Sequence, residues 1–298
     1  MQRTLFDVEE LRRGQPSRPA APFRSQLLKW VGNKQRFAHE IIGYFPDKYG
    51  TYFEPFLGSG AVLGSLAPVK AIASDILRPL LDIWITLKTN PQTLQRWYAE
   101  RWQRFRSGNR ELIYEEIKAS YNRSPNPADL IFLARACYGG VVRFRQADGY
   151  MSTPIGVHQP ISPESFGRRV DLWGERTAGT TFLHSDFEPV MEQAKAGDVI
   201  YCDPPYVHSQ AILYGAQTFS LDRLFTAIAR AKARGVYVLL SIDGSKKSGG
   251  YECRLPIPAG LFGREASVNC GRSMLRRFQM EGENLAEEVV HDRLLLTW

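Results

Sequence analysis

Cysteine is scarce in this chain, and the four present (Cys137, Cys202, Cys253 and Cys270) show no paired spacing. That argues against a zinc site or a disulfide framework and fits a reducing cytosol. No metal site is expected. No apolar run is long enough to span a bilayer, and the N-terminus carries no signal-peptide pattern, so a cytoplasmic location is expected. No internal repeat is visible, so no solenoid is expected. Acid is in deficit: 31 acidic residues stand against 38 basic ones, a formal net charge of +7. A basic excess favours polyanionic partners without fixing a fold. Arginines recur at Arg96, Arg101, Arg104, Arg106 and Arg110, then at Arg135, Arg143 and Arg145, and arginine suits bidentate contact with phosphate or guanine. What the chain does have is ordinary core-forming material, 44% hydrophobic over 298 residues. That is enough for one large domain, or a core domain with an insertion.

Residues 1–25 are polar, rich in Pro and Arg, and expected to be mobile. From Leu27 the pattern becomes regular. A helix is expected over Gln35 to Tyr44. Tyr52-Phe53-Glu54-Pro55-Phe56 reads as a strand and its exit, and Leu57-Gly58-Ser59-Gly60 as a glycine turn. A helix follows from Ala61 to Leu66, then a strand from Val69 to Ser74 that ends at Asp75. This order opens a doubly wound α/β sheet. Four helical patterns follow without a strand: Leu80 to Lys88, Pro91 to Arg106, Glu111 to Ser120, and Pro127 to Ala136. Residues 138–178 read as irregular. Strands return at Thr180 to Leu183 and Val199 to Cys202, then a helix from Leu221 to Ala233 and a strand from Val236 to Ile242. Arg293 to Trp298 is a last apolar strand. The expected division is a mobile segment (1–25), a catalytic sheet domain (26–78 and 179–298) and a helical insertion (79–178).

The chemistry concentrates where the strand Asp198-Val199-Ile200-Tyr201 ends in Asp203-Pro204-Pro205-Tyr206. The two prolines fix φ and stiffen the backbone after Asp203. An ionised Asp203 is acceptor-only, so its carboxylate and the Pro204 carbonyl would both accept from one NH₂ group. Tyr206 supplies a flat face beside them. The set suits an exocyclic amino group on a planar ring, such as adenine N6 or cytosine N4. Gly58 and Gly60 let a ligand approach the backbone closely. Asp75, at a strand end, is placed to grip ribose hydroxyls. Singly, the glycines also suit a plain turn, Asp75 a helix N-cap, and Trp30 a core side chain. Their order along one sheet is what points to a common site. The loop 244–250, with Lys246 and Lys247, reads as a phosphate contact or as a solvated loop.

Lys29-Trp30-x-Gly32-x-Lys34, Glu54-Pro55-Phe56-x-Gly58-x-Gly60, a strand-end acid, a helical insertion and Asp203-Pro204-Pro205-Tyr206 follow one another in an order that resembles the Dam-type (D12 class, α group) adenine-N6 DNA methyltransferases. The resemblance spans roughly Leu27 to Asp243. It implies a Rossmann-like methyltransferase sheet with a target-recognition insertion. S-adenosylmethionine is the implied cofactor, held by Lys29, Trp30, Lys34, Phe53, Glu54, Pro55, Gly58, Gly60, Asp75, Asp186, Phe187 and Asp203. Asp203, Pro204, Pro205 and Tyr206 are the implied catalytic residues. Tyr138-Gly139-Gly140-Val141-Val142-Arg143 resembles the family's DNA-entering hairpin, and Met151-Ser152-Thr153-Pro154-Ile155-Gly156 a second family segment. Tyr138, Arg143, Arg145 and Pro154 would then touch DNA. Gly139, Val141 and Ser152 depart from the family pattern and bear on which DNA sequence is recognised.

The implied partners are double-stranded DNA and a cognate restriction endonuclease, in a bacterial or phage-infected cell. Gln2-Arg3-Thr4-Leu5-Phe6 resembles a sliding-clamp-binding peptide. Two other readings stand beside this one. Methylation of RNA adenine or cytosine N4 is the first, although cytosine-N4 enzymes more often carry Ser at the position of Asp203. A catalytically inactive DNA-binding relative is the second, and the intact Asp203-Pro204-Pro205-Tyr206 counts against it.

Overall fold

The computed structural model describes residues 12–13, 20–145, 147–205, 219–246, 251–252, 256–272 and 289–298. Tyr206, Lys247 and the Gln2–Phe6 peptide therefore lie outside the described residues. Nine strands are present among them: β1 (Arg12–Arg13), β2 (Tyr52–Glu54), β3 (Ala71–Asp75), β4 (Thr180–His184), β5 (Val199–Cys202), β6 (Tyr237–Lys246), β7 (Tyr251–Glu252), β8 (Arg264–Arg272) and β9 (Val289–Leu296). They form one sheet in the order β1-β8-β9-β6-β5-β2-β3-β4, with β7 paired to β6. Strands β4, β3, β2, β5 and β6 run parallel. β9 lies antiparallel between β6 and β8.

The strands form where apolar residues alternate between two buried faces. Tyr52, Tyr201, Leu239, Leu294 and Leu296 join one core. Phe53, Ile200, Cys202, Val238, Leu240 and Leu295 join the other. Burial on both faces explains the nearly continuous apolar runs, as parallel sheets require. The second face is covered by α8 (Phe187–Glu192) and α9 (Leu221–Ala233), which present Val190, Leu224 and Ile228. The first face carries α1 (Ala38–Gly43), α2 (Ala61–Leu66) and the long crossover from β3 to β4.

That crossover contains α3 (Arg78–Thr89), α4 (Pro91–Ser107), α5 (Arg110–Arg123), α6 (Pro127–Ala136) and α7 (Pro163–Arg176). Asparagines cap three of these helices: the side chains of Asn90, Asn109 and Asn126 accept from the amides of Thr93, Leu112 and Asp129, satisfying donors the helix leaves open. The insertion does not stand apart from the sheet. Trp84 of α3 stacks on Phe182 of β4 at 5.8 Å and meets Trp173 of α7 at 5.4 Å. Lys88 donates to the Thr180 carbonyl. So α3 is the sheet's own crossover helix as well as the root of the insertion.

Three sequence expectations need correction. The segment 138–178 is not irregular throughout, since α7 occupies Pro163–Arg176. Its signals were present: Ser162 as N-cap, Pro163 in the first turn, and Phe166, Val170 and Trp173 buried at helical spacing. Helix α1 starts at Ala38 rather than Gln35, because Lys34 to Phe37 close a turn through Phe37 N–H to the Lys34 carbonyl (3.0 Å). Strand β8 was not expected; its polar residues alternate with a few buried ones, Ala266 and Val268, which hides a strand at the sheet's margin.

Candidate active site

From β2 the chain moves outward through β3 to β4, then returns to place β5 on the other side of β2. At such a reversal the crevice beyond the strand C-termini is open to a ligand. Glu54 ends β2, Asp75 ends β3, and Asp203 follows β5, so three carboxylates share this edge of the sheet.

Two adjoining cavities occupy it. The first encloses about 460 Å³ between Pro55, Phe56, Asp75, Ile76, Asp186 and Phe187, closed by Pro205, Phe219 and Arg223. The second encloses about 440 Å³, with Trp30, Lys34, Glu54, Gly58, Asp203 and Pro204 among its walls. Phe56 and Pro205 belong to both walls, so the cavities meet there.

The first cavity is flat-walled and mostly apolar. Phe56 stacks on Phe187 at 5.2 Å. Arg223 lies over the Phe187 ring at 5.1 Å and pairs with Asp186 (3.1 Å) and Glu188 (2.9 Å). The other oxygen of Asp186, Oδ1, is buried with no hydrogen-bond donor facing it. Asp186 is the N-cap residue of α8, yet its side chain does not cap that helix. A buried acceptor without a donor is rare in a finished core and marks a place where a ligand can donate. Asp75 does two jobs. Its Oδ2 accepts from Gly58 N–H and its Oδ1 from Leu77 N–H, both at 2.9 Å, so it braces the glycine turn and also opens α3. Burial pushes its carboxyl up to about 6, against those backbone bonds.

The glycine turn is built from beneath. Gly58 and Gly60 have φ of 49° and 62°, values that favour glycine. The Trp84 indole N–H donates to the Gly58 carbonyl at 3.1 Å. A Cβ on Gly60 would stand 2.9 Å from the Trp84 ring.

The second cavity is polar and crowded with acids. Lys34 Nζ lies 3.0 Å from Asp203 Oδ1 and 3.2 Å from Asp292 Oδ2. Lys34 and Asp292 are both buried. Glu54 accepts from the Tyr52 hydroxyl at 2.6 Å. Burial first, and the Asp203 charge in addition, push the Glu54 carboxyl up to about 8, with the Tyr52 bond opposing. Glu54 is therefore biased toward its uncharged form, and Asp203 and Asp292 each place a carboxylate oxygen within 3.2 Å of the Lys34 ammonium.

The sequence-chosen residues divide as follows. Trp30, Lys34, Glu54, Pro55, Gly58, Asp75, Asp186, Phe187, Asp203, Pro204 and Pro205 line the two cavities. Phe53 and Gly60 stand behind the walls, Phe53 in the core under α8 and α9 and Gly60 against Trp84. Lys29 is placed differently from the expectation. It is exposed, and its stem lies against Gly140, where an added Cβ would come within 2.7 Å of the Lys29 Cβ. Partial burial, then the nearby Arg135, lower its pKa. The backbone before it is pinned by Arg135, which donates to the carbonyls of Gln26 (3.0 Å) and Leu27 (2.8 Å), and by Arg169, which donates to Gln26 (2.8 Å). Sequence reasoning passed over Arg223, Phe219 and Asp292. Arg223 sits in the first turn of an ordinary amphipathic helix, and Asp292 is one acid within an apolar strand, so neither carries a local signal.

Tyr138 to Ile155 form a hairpin-like excursion at the base of α6. Cys137 pairs with Ile155 and Phe144 with Met151. Arg143 donates its amide to Thr153 Oγ1 at 2.9 Å, and Tyr138 donates its amide to the Pro154 carbonyl at 2.9 Å. Tyr138 is 38% exposed. Arg145 is already occupied: it pairs with Asp148 (2.5 Å) and lies over the Tyr150 ring at 4.3 Å. Lys246 belongs to β6.

Known proteins bear on this arrangement. The chain is similar to a DNA adenine methylase of Vibrio cholerae, 27% identical over 232 residues that cover 72% of this chain and 80% of that protein. It is similar to a Type II methyltransferase of Lactococcus lactis subsp. cremoris, 26% identical over 74% of this chain and 81% of that protein. Among solved structures, an rRNA methyltransferase (aviRa) of Streptomyces viridochromogenes aligns over 95% of this chain and 87% of that one, at 15% identity and a TM-score of 0.36, a level that bears on neither substrate nor mechanism. Residues 30–250, which include every residue named above as lining the two cavities, match a family model as a unit, and on that match the chain belongs to the D12 class of N6 adenine-specific DNA methyltransferases.

Proposed function

We propose that the chain methylates adenine N6 in duplex DNA with S-adenosylmethionine as donor, the first cavity holding the adenosine end and the second receiving the target base. The observation that carries this reading is the meeting of the two cavities at Phe56 and Pro205, with Asp203 and Pro204 on the far side of that junction. The first cavity fits an adenosine. Phe56 and Phe187 give flat apolar walls, the open acceptor Asp186 Oδ1 suits an exocyclic amino group, and Asp75 offers carboxylate lone pairs to hydroxyls. When bound, S-adenosylmethionine supplies an electrophilic methyl group.

The protein's part is to make a poor nucleophile competent. The N6 lone pair is delocalised into the ring. Asp203 and the Pro204 carbonyl accept the two amino hydrogens, which localises that pair on nitrogen. The Asp203 carboxylate stabilises the positive charge that develops there and accepts the proton that leaves. Holding the base against the junction supplies the orientation that the reaction needs. The base is out of reach inside a duplex, so it must leave the stack. The hairpin with Tyr138, Arg143 and Pro154 stands as the duplex-entering element, and exposed arginines and lysines supply salt-dependent affinity for phosphates.

Expression in cells whose DNA lacks adenine methylation, followed by direct sequencing of modified bases, tests the proposal. N6-methyladenine confined to one sequence context is expected. N4-methylcytosine, or unmodified DNA, contradicts it.

Calorimetry checks the cofactor cavity separately. One S-adenosylmethionine site per chain is expected in wild type, weakened at least about tenfold in Asp186→Ala, because a hydrogen bond to a charged group contributes about 1.5–3 kcal/mol. Unchanged affinity in that variant places the adenosine elsewhere.

A further inference from the structure

Asp292 lies outside every motif, on the last strand of the sheet, yet it contacts Lys34, a wall of the acidic cavity. It shares a strand face with Leu294 and Leu296, which are fully buried in the core under α1. Its neighbour Arg293 points to the opposite face and grips Glu265 of β8 through two bonds, 2.6 and 2.8 Å. The strand is therefore held in register from both sides, and Asp292 is delivered to a fixed point: 3.2 Å from Lys34 Nζ, the same ammonium that lies 3.0 Å from Asp203.

Consider what the lysine does with one partner and with two. A buried ammonium paired with Asp203 alone would offset the charge of that carboxylate and compete with the substrate amino group for its lone pairs. A second buried carboxylate divides the ammonium's attraction. Asp203 is then held in orientation by Lys34 but keeps more of its accepting strength for the target nitrogen. Glu54 is a weaker counterweight, because burial raises its pKa to about 8.

We propose that Asp292 is a positioning residue for methyl transfer, acting through Lys34 to set the orientation and accepting strength of Asp203. The inference rests on the reading of Asp203 as the acceptor of the target amino group.

The test is a double-variant cycle on the full chain, with Lys34→Gln, Asp292→Asn and the two combined, measured by steady-state methylation of duplex DNA. Asp292→Asn is expected to lower kcat about tenfold or more while leaving KM for DNA and for S-adenosylmethionine within about twofold. Asp292→Glu should recover part of the loss by restoring the charge. The combined variant should be no slower than Lys34→Gln alone, since both changes break one relay; coupled sites are recognised by this non-additivity.

Should Asp292→Asn fold poorly, because it removes one carboxylate partner of a buried ammonium, the combined variant removes the charge pair and keeps the comparison with Lys34→Gln available. Wild-type kcat in Asp292→Asn, or losses that multiply in the combined variant, overturn the proposal. A wild-type chain that transfers no methyl to N6 fails the functional reading itself, and the two failures are thereby distinct.

Discussion

Glu54 shows how much one residue's surroundings decide. It sits buried at the end of a strand and faces the field of Asp203, so its folded pKa rises from 4.5 to about 8, even though the hydrogen bond it accepts from Tyr52 at 2.6 Å acts the other way. The unfolded chain ionises this group near 4.5, while the folded chain keeps it protonated. Its stability contribution is thus fully present below 4.5 and is lost as pH rises through about 8. Asp75, raised to about 6, acts in the same direction over a lower window. Thermal melting from about pH 5 to about pH 9 should show a falling Tm. Glu54→Gln keeps a carbonyl for the Tyr52 hydroxyl and removes the ionisation, so its Tm should fall less above about pH 6. An identical pH slope in wild type and variant would show that Glu54 is not the group responsible.

Among the elements, the glycine turn and the hairpin carry the clearest consequences. Gly60 combines a φ of 62° with Trp84 only 2.9 Å from an added Cβ, so backbone strain and overpacking act together. Gly60→Ala should cost about 1–3 kcal/mol in denaturant unfolding and weaken cofactor binding. Gly149→Ala, at φ 68° with open space around it, supplies the strain without the clash and should cost less. Equal costs would remove Trp84 from the explanation. On the hairpin, Arg143 and Arg145 stand two residues apart. Arg145 is held by Asp148 and Tyr150. If Arg143 reads a guanine edge, Arg143→Ala should lose about 1–3 kcal/mol of discrimination at one base position, while Arg145→Ala leaves discrimination intact. Binding assays on cognate and singly altered duplexes separate the cases. A uniform loss on all duplexes for Arg143→Ala would place that side chain on the phosphate backbone.

At the scale of the molecule, legibility followed the range of the interactions. The parallel core strands were readable because both faces are buried, so Val199 to Cys202 stands out as an apolar run. Helices α2, α6 and α9 were readable in full because turns, caps and periodicity act within a few residues. What depends on chain segments far apart was not. Asp292 meets Lys34 across more than two hundred residues, and nothing local distinguishes it. Lys29 and Lys34 share one motif, yet the turn closed by Phe37 sends Lys34 into the acidic cavity and leaves Lys29 outside against Gly140. The account as a whole hangs on Asp203 accepting from the target nitrogen at the junction of the two cavities. The direct measurement is the single-turnover rate of N6 methylation on a duplex oligonucleotide, with products identified as nucleosides by mass spectrometry, for wild type and Asp203→Ala. The account predicts N6-methyladenine from wild type, a rate at least about a hundredfold lower in Asp203→Ala, and cofactor affinity little changed. A variant that methylates N6 at close to the wild-type rate would contradict it.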